Sequence, residues 1–114
     1  MESCMFFKAS HLMGKKWSLA LLEGISINEG KGFNMILART RKISPRILAG
    51  RLKEFEDAGI LEKKTTQGET RRTSYSLTQK GKELLKIMKL MKKWNSRYSG
   101  MNCENAECID CPFY

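Results

Sequence analysis

Three thiols fall within nine positions near the end of the chain, in Cys103-Glu-Asn-Ala-Glu-Cys108-Ile-Asp-Cys111, and Cys4 is the only other cysteine of the 114 residues. Clustered thiolates suit soft metals, so Cys4, Cys103, Cys108 and Cys111 form a candidate set of metal ligands, with zinc the candidate ion. The spacing also agrees with the first three ligands of plant-type iron-sulfur proteins, yet no cysteine follows Cys111. Thiol-disulfide chemistry and unliganded thiols fit the same spacing, which therefore fixes no cofactor. The single His11 has no second histidine to pair with and reads as a helix residue with a local hydrogen bond. Enzyme chemistry finds no purchase: there is no phosphate-cradling Gly-rich loop, and no cysteine has an obvious base partner.

A second group of residues has chemistry of another kind. Lys and Arg number 21 against 12 Asp and Glu, a net charge of +9 that favours a polyanionic partner such as DNA or RNA. The most informative cations lie in and around Ile43 to Ile60. That stretch reads as one helix with both ends marked: Ser44 caps it, Pro45 fits its first turn, and Gly59 supplies a left-handed stop. On a 3.6-residue repeat Leu48, Leu52 and Phe55 share the apolar side, while Arg46, Ala49, Gly50 and Lys53 fall opposite. Small residues between two cations let a helix approach a groove closely, as in a DNA recognition helix; an ordinary amphipathic surface helix is the plain alternative. Arg46 is the first candidate for a base contact, because a guanidinium in the first turn can bridge guanine O6 and N7. Ser44, beside it, joins the candidate DNA surface. Lys53, Lys42, Lys64, Arg71 and Arg72 suit phosphate. Arg51 points nearer the apolar side, where a structural pair with Glu54 competes with DNA contact.

The elements that would carry these groups form a mainly α chain with one small β-hairpin. Met5 to Leu12 predicts a short helix. Trp17 to Ile25, apolar over more than half the turn, predicts the buried spine of a single domain, the size expected for this length. Phe33, Ile36 and Leu37 recur at helical spacing to about Arg39, and only Thr40 to Ile43 separates this helix from the capped one, as in a helix-turn-helix. Ile60 to Thr66 and Thr73 to Leu77, around a Gln-Gly-Glu turn, predict a hairpin wing rich in cations. Thr78 then caps a long helix to about Tyr98. Its stripe of Leu84, Ile87, Met88, Met91 and Trp94 exceeds what one small domain needs, so it predicts a homodimer interface. No run is long and apolar enough for a membrane span or a signal peptide, which makes a cytoplasmic location the expectation and a membrane partner unexpected.

The residues themselves resemble the HxlR-type winged-helix transcriptional regulators, relatives of the MarR group. Cys4 stands at the family's N-terminal cysteine spacing from Trp17, and Gly14-Lys15-Lys16-Trp17 is similar to its Gly-Gly-Lys-Trp, with Lys in place of the second Gly. Phe33-Asn34 matches the start of the first motif helix. Ile43-Ser44-Pro45-Arg46-Ile47-Leu48, continuing through Arg51-Leu52-Lys53-Glu54-Phe55-Glu56 to Gly59-Ile60, is the most specific piece. Tyr75-Ser76-Leu77-Thr78 with Gly81 and Leu85 matches the end of the wing and the start of the dimer helix. The resemblance runs from Cys4 to about Trp94. It implies a winged helix-turn-helix with a long C-terminal dimerisation helix and a homodimer on a pseudo-palindromic double-stranded operator. For some members it also implies redox or electrophile sensing through the cysteine at position 4.

The expected organisation is a winged domain with its dimerisation helices over residues 1–100 and a Cys-rich tail over 101–114. A switch in which Cys4 and a tail cysteine change the dimer helix, by oxidation or zinc, is the corresponding regulatory expectation. Two other functions stay open: a winged-helix adapter for protein partners, which the charge opposes, and a metal or redox thiol protein with secondary DNA binding.

Overall fold

A computed structural model describes residues 4–27, 30–40, 42–68 and 72–100. The chain forms α1 (Met5–Met13), α2 (Ser18–Ile27), α3 (Phe33–Arg39), α4 (Pro45–Asp57), β1 (Leu61–Thr66), β2 (Arg72–Leu77) and α5 (Gln79–Ser99). This is the mainly helical, hairpin-bearing winged helix-turn-helix architecture that the sequence predicts. The core is built around α2, where Leu21, Leu22 and Ile25 are fully enclosed, and α4 presses Leu48, Leu52 and Phe55 into the same cluster. Such burial, near 25 cal/mol per Å² of apolar surface, is what holds short helices that would be marginal alone.

The helices stop where their sequences say. The Ser44 Oγ accepts from the Ile47 amide at 3.2 Å, and Pro45 occupies the first turn of α4. At the other end Gly59 takes φ +75°, its N–H donating to Glu56 O at 3.0 Å while the Ile60 N–H donates to Phe55 O at 2.8 Å. That pair of bonds is a Schellman closure, and it keeps Ile60 out of the strand that the sequence had begun there. Between α3 and α4 the turn is pinned by buried residues. Thr40 donates its hydroxyl to Ile36 O at 2.8 Å, the Ile43 amide donates to Thr40 O at 2.9 Å, and both side chains are buried.

The hairpin is antiparallel, with Leu61 opposite Leu77, Lys63 opposite Tyr75 and Thr66 opposite Arg72. Tyr75 also exchanges backbone bonds with the segment before α3, accepting from Gly30 N and donating to Lys31 O, both at 3.0 Å, so the wing is fastened on its inner edge. Thr78 ties the wing to α5 and α4 at once. Its Oγ1 accepts from the Gly81 amide at 3.2 Å, and the hydroxyl lies 2.5 Å from Gly59 O and 3.1 Å from Ile60 O. Gly81 is required at this joint, because a Cβ there would collide with the Ile60 carbonyl oxygen.

Two expectations need correction. Trp17 does not belong to α2: it precedes it with φ +75°, a left-handed conformation costly for a bulky side chain. Burial of the indole, the bond from the Leu21 amide to Trp17 O at 2.8 Å and the Lys16 ammonium 5.0 Å from the ring centroid hold it there. Met88, expected at a dimer surface, is only 1 % exposed and belongs to the protomer core with Leu85. The inner face of α5 is turned toward α2, where Lys92 meets Glu23 at 2.5 Å in a nearly buried ion pair. Met88 lies on that inner face, about 40° around the helix from Lys92.

Candidate nucleic-acid interface

The outer side of α4 is open along its length. Ser44, Arg46, Ala49, Gly50 and Lys53 are all exposed, as is Lys42 in the preceding turn. Nothing bulkier than the methyl of Ala49 separates Arg46 from Lys53 on that side, so a helix axis there can come close to a groove floor. Lys53 has only a loose partner, Asp57 one turn on at 3.9 Å, an exposed pair that contributes little and leaves the ammonium available to phosphate. Ile47 is the residue that reading the sequence missed. It is 40 % exposed in the first turn, beside Arg46, where an apolar side chain can meet a thymine methyl. Its signal was present: Ile47 is out of phase with the Leu48, Leu52 and Phe55 stripe.

The wing stands beside this helix. Lys63 faces the same side of the hairpin as the buried Leu61 and Tyr75, and it lines a cleft of about 250 Å³ with Ala49, Lys53 and Glu56 of α4. Lys64, by strand alternation, points to the opposite face with Glu62. Lys64 and Arg72 are exposed. The structure thus brings Lys63 next to α4 and sets Lys64 on the outer face of the wing. Burial, reinforced by the nearby Glu56 charge, pushes the Tyr75 hydroxyl above its ordinary value, so it stays a neutral hydrogen-bonding group in the cleft wall. Arg71 lies outside the described residues, and so do Cys103, Cys108 and Cys111.

Arg51 is resolved in favour of structure. Its guanidinium meets Glu54 Oε1 at 3.2 Å, and its Nε donates to Lys16 O at 3.4 Å. Glu54 takes Lys15 as well, at 2.8 Å. The Lys15 hydrogen bond, with the Lys15 and Arg51 charges behind it, holds the Glu54 carboxyl below the usual carboxylate range. This cluster fixes the Gly14-to-Trp17 connection against the inner edge of α4 and leaves the outer edge uninvolved.

Cys4 precedes α1 as an exposed thiol. The first-turn amides of Phe7 and then Phe6 lower its pKa, as a helix N-terminus does for an anion, although no side-chain cap of ordinary geometry forms. His11, exposed, stacks on Phe7 with ring centroids 6.3 Å apart. A large apolar surface adjoins this end of the molecule. On α5, Ile87, Leu90, Met91, Trp94 and Tyr98 are exposed, with Trp94 62 % and Tyr98 73 %, and α1 adds Met5, Phe6 and Phe7. Leu84 is half-buried at its margin. No helix among the described residues is long and apolar enough to cross a membrane.

Comparison with known proteins places this geometry. Residues 12–102 match the HxlR-like helix-turn-helix family. The HTH-type transcriptional regulator YvaP of Bacillus subtilis is 35% identical over 98 residues, covering 85% of this chain and 90% of that protein. The regulator YodB of the same organism is 30% identical over 101 residues, 89% of this chain and 86% of its own. The structure of its reduced form superposes with a TM-score of 0.76 at 28% identity, covering 86% of this chain and 95% of that one. The redox regulator HypR in its reduced form gives a TM-score of 0.71 at 28% identity, with 84% and 96% covered. The proteins that this chain is similar to are transcriptional regulators.

Proposed function

This chain belongs to the HxlR-like helix-turn-helix family of transcriptional regulators, and from that premise we propose that it acts as a homodimer on a pseudo-palindromic double-stranded DNA operator. The observation that carries the reading is the open side of α4, where Arg46, Ala49, Gly50 and Lys53 face outward beside a basic wing. Arg46 reads a base edge in the major groove, Ser44 and Ile47 stand beside it, and Lys42, Lys53, Lys63, Lys64, Arg71 and Arg72 neutralise phosphate. The dimer forms through Ile87, Leu90, Met91, Trp94 and Tyr98 of α5, with Leu84 at the margin and α1 alongside. Exposed apolar patches of this kind mark association surfaces, and a two-fold pair is the commonest way to close one.

A footprint on a selected duplex tests both parts. Two protected half-sites about 10 base pairs apart, centre to centre, are expected. Binding should weaken steeply with salt, since each neutralised phosphate adds about one unit to the logarithmic salt slope. A single protected half-site, or affinity indifferent to salt, would overturn the reading.

Redox control through Cys4 is the regulatory part of the proposal. Cys4 is exposed and its pKa is lowered at the start of a helix, which favours the thiolate, the form that attacks peroxide. The sulfur gains one oxygen and becomes a sulfenic acid as peroxide is reduced to water. Condensation with a thiol of Cys103, Cys108 or Cys111 then gives a disulfide and a second water. Zinc held by the same four cysteines is the competing chemistry. Thiol counts, metal content and operator affinity before and after peroxide decide between them; unchanged thiols and unchanged affinity would remove the redox part.

A further inference from the structure

Helix α5 carries a third face that neither the core nor the apolar patch uses. Lys82, Lys86, Lys89, Lys93 and Arg97 are all exposed and fall within about 80° of its circumference, a stripe some 22 Å long. Among the described residues none of the five forms an ion pair. Five like charges at helical spacing repel one another and call for a counterion. The stripe lies between the buried side, marked by Leu85 and Lys92, and the exposed apolar side, so dimerisation through the latter leaves it open.

The chain itself supplies an opposite charge of matching length. Residues 101–114 contain Glu104, Glu107 and Asp110 and no Lys or Arg. Helix α5 ends on Gly100 in the left-handed conformation, φ +75°, which stops the helix there. With about two residues spent on a turn and about 3.3 Å per extended residue, a chain that returned along α5 would have the reach to bring Glu104 level with Lys93 and Arg97. The same spacing would match Glu107 to Lys86 and Lys89, and Asp110 to Lys82. We propose that the acidic segment 101–114 docks back along the basic stripe of its own α5. Tethering gives the three carboxylates a high effective concentration, so pairs that are weak singly act together.

Lysine acylation of the full-length protein, read by mass spectrometry, tests this. At low salt Lys86, Lys89 and Lys93 are expected to react about tenfold more slowly than in the charge-neutral variant E104Q/E107Q/D110N, whose fold is checked by circular dichroism. About 0.5 M salt should erase the difference by screening. Protection should be the same above and below the protein concentration at which dimers form. Equal reactivity of the two proteins at low salt overturns the proposal. Protection that develops only when duplex DNA is added overturns it in favour of DNA as the partner of the stripe. Protection confined to dimer concentrations overturns the intramolecular arrangement.

Discussion

Helices α4 and α5 are both amphipathic, both capped by a hydroxyl and both closed by a left-handed glycine, yet their exposed sides are opposites. Outside its buried stripe α4 presents small and cationic residues, Arg46, Ala49, Gly50 and Lys53, whereas α5 presents Ile87, Leu90, Met91, Trp94 and Tyr98. A small, charged face gains by approaching a polyanion without losing apolar hydration. A large apolar face gains only by leaving water. Two helices of one fold thus declare different partners through what each leaves uncovered.

That contrast can be broken at measurable cost. The largest expected effect lies under α5. Lys92→Met removes the ammonium that Glu23 meets in a nearly buried pair, and urea unfolding at fixed protein concentration should show a loss of about 3 kcal/mol. Adding Glu23→Leu should recover most of it, because an apolar pair of similar volume avoids the desolvation of both charges. On the outer side, Trp94→Glu with Ile87→Glu should weaken self-association at least about a hundredfold in sedimentation, with the protomer fold unchanged by circular dichroism, since two charges must then be desolvated on association. The corresponding change on α4 should leave association alone. Arg46→Ala should cost about 1–3 kcal/mol on the operator and little on scrambled duplex, while Arg72→Ala should weaken both alike in gel shifts. Equal losses for Arg46→Ala on both duplexes would remove its base-reading role and with it half of the contrast.

The smallest effect concerns pH. The Glu54 carboxyl has a folded pKa below its unfolded value, so its stabilisation is present above the ordinary carboxylate pKa of about 4.3 and fades as pH falls through the lower, folded value. Wild type should exceed Glu54→Gln by about 1 kcal/mol at neutral pH, a modest figure because the group is a third exposed. The two unfolding curves should converge as pH falls below the folded pKa of Glu54, where both side chains are neutral. A gap that persists there would assign the effect to packing.

The legibility of the fold follows from how local each signal is. Ser44, Pro45 and Gly59 act on backbone groups within four residues of themselves, and α4 could therefore be delimited from sequence to within two residues. Thr78 marked the start of α5 equally well. The hairpin was legible from its β-branched runs, although the Schellman closure moved its first residue. Trp17, Met88 and the Glu23–Lys92 pair were not legible, because each depends on what packs against it from a distant part of the chain. A left-handed tryptophan has no local signature, and a methionine at the edge of an apolar stripe can turn either way until α2 is in place. On the outer side of α4, the exposure of Arg46 and Lys53 was legible from periodicity. Ile47 was passed over because an isoleucine beside a core stripe reads as core, and Lys63 was separated from Lys64 only by strand alternation.

The joint at Gly59, Ile60 and Thr78 has a mechanical consequence. The carbonyls of Gly59 and Ile60, just past the end of α4, and the first turn of α5 share one hydroxyl, and Gly81 lets the two backbones touch. Helix α5 is therefore a lever whose short end is clamped to α4 and whose long end runs about 31 Å away. A tilt of 5° at the clamp sweeps that far end through about 3 Å, close to the rise of one base pair. Any event that repositions the far end of α5 is geared directly to the orientation of α4, and so to the register of the DNA contact proposed for it.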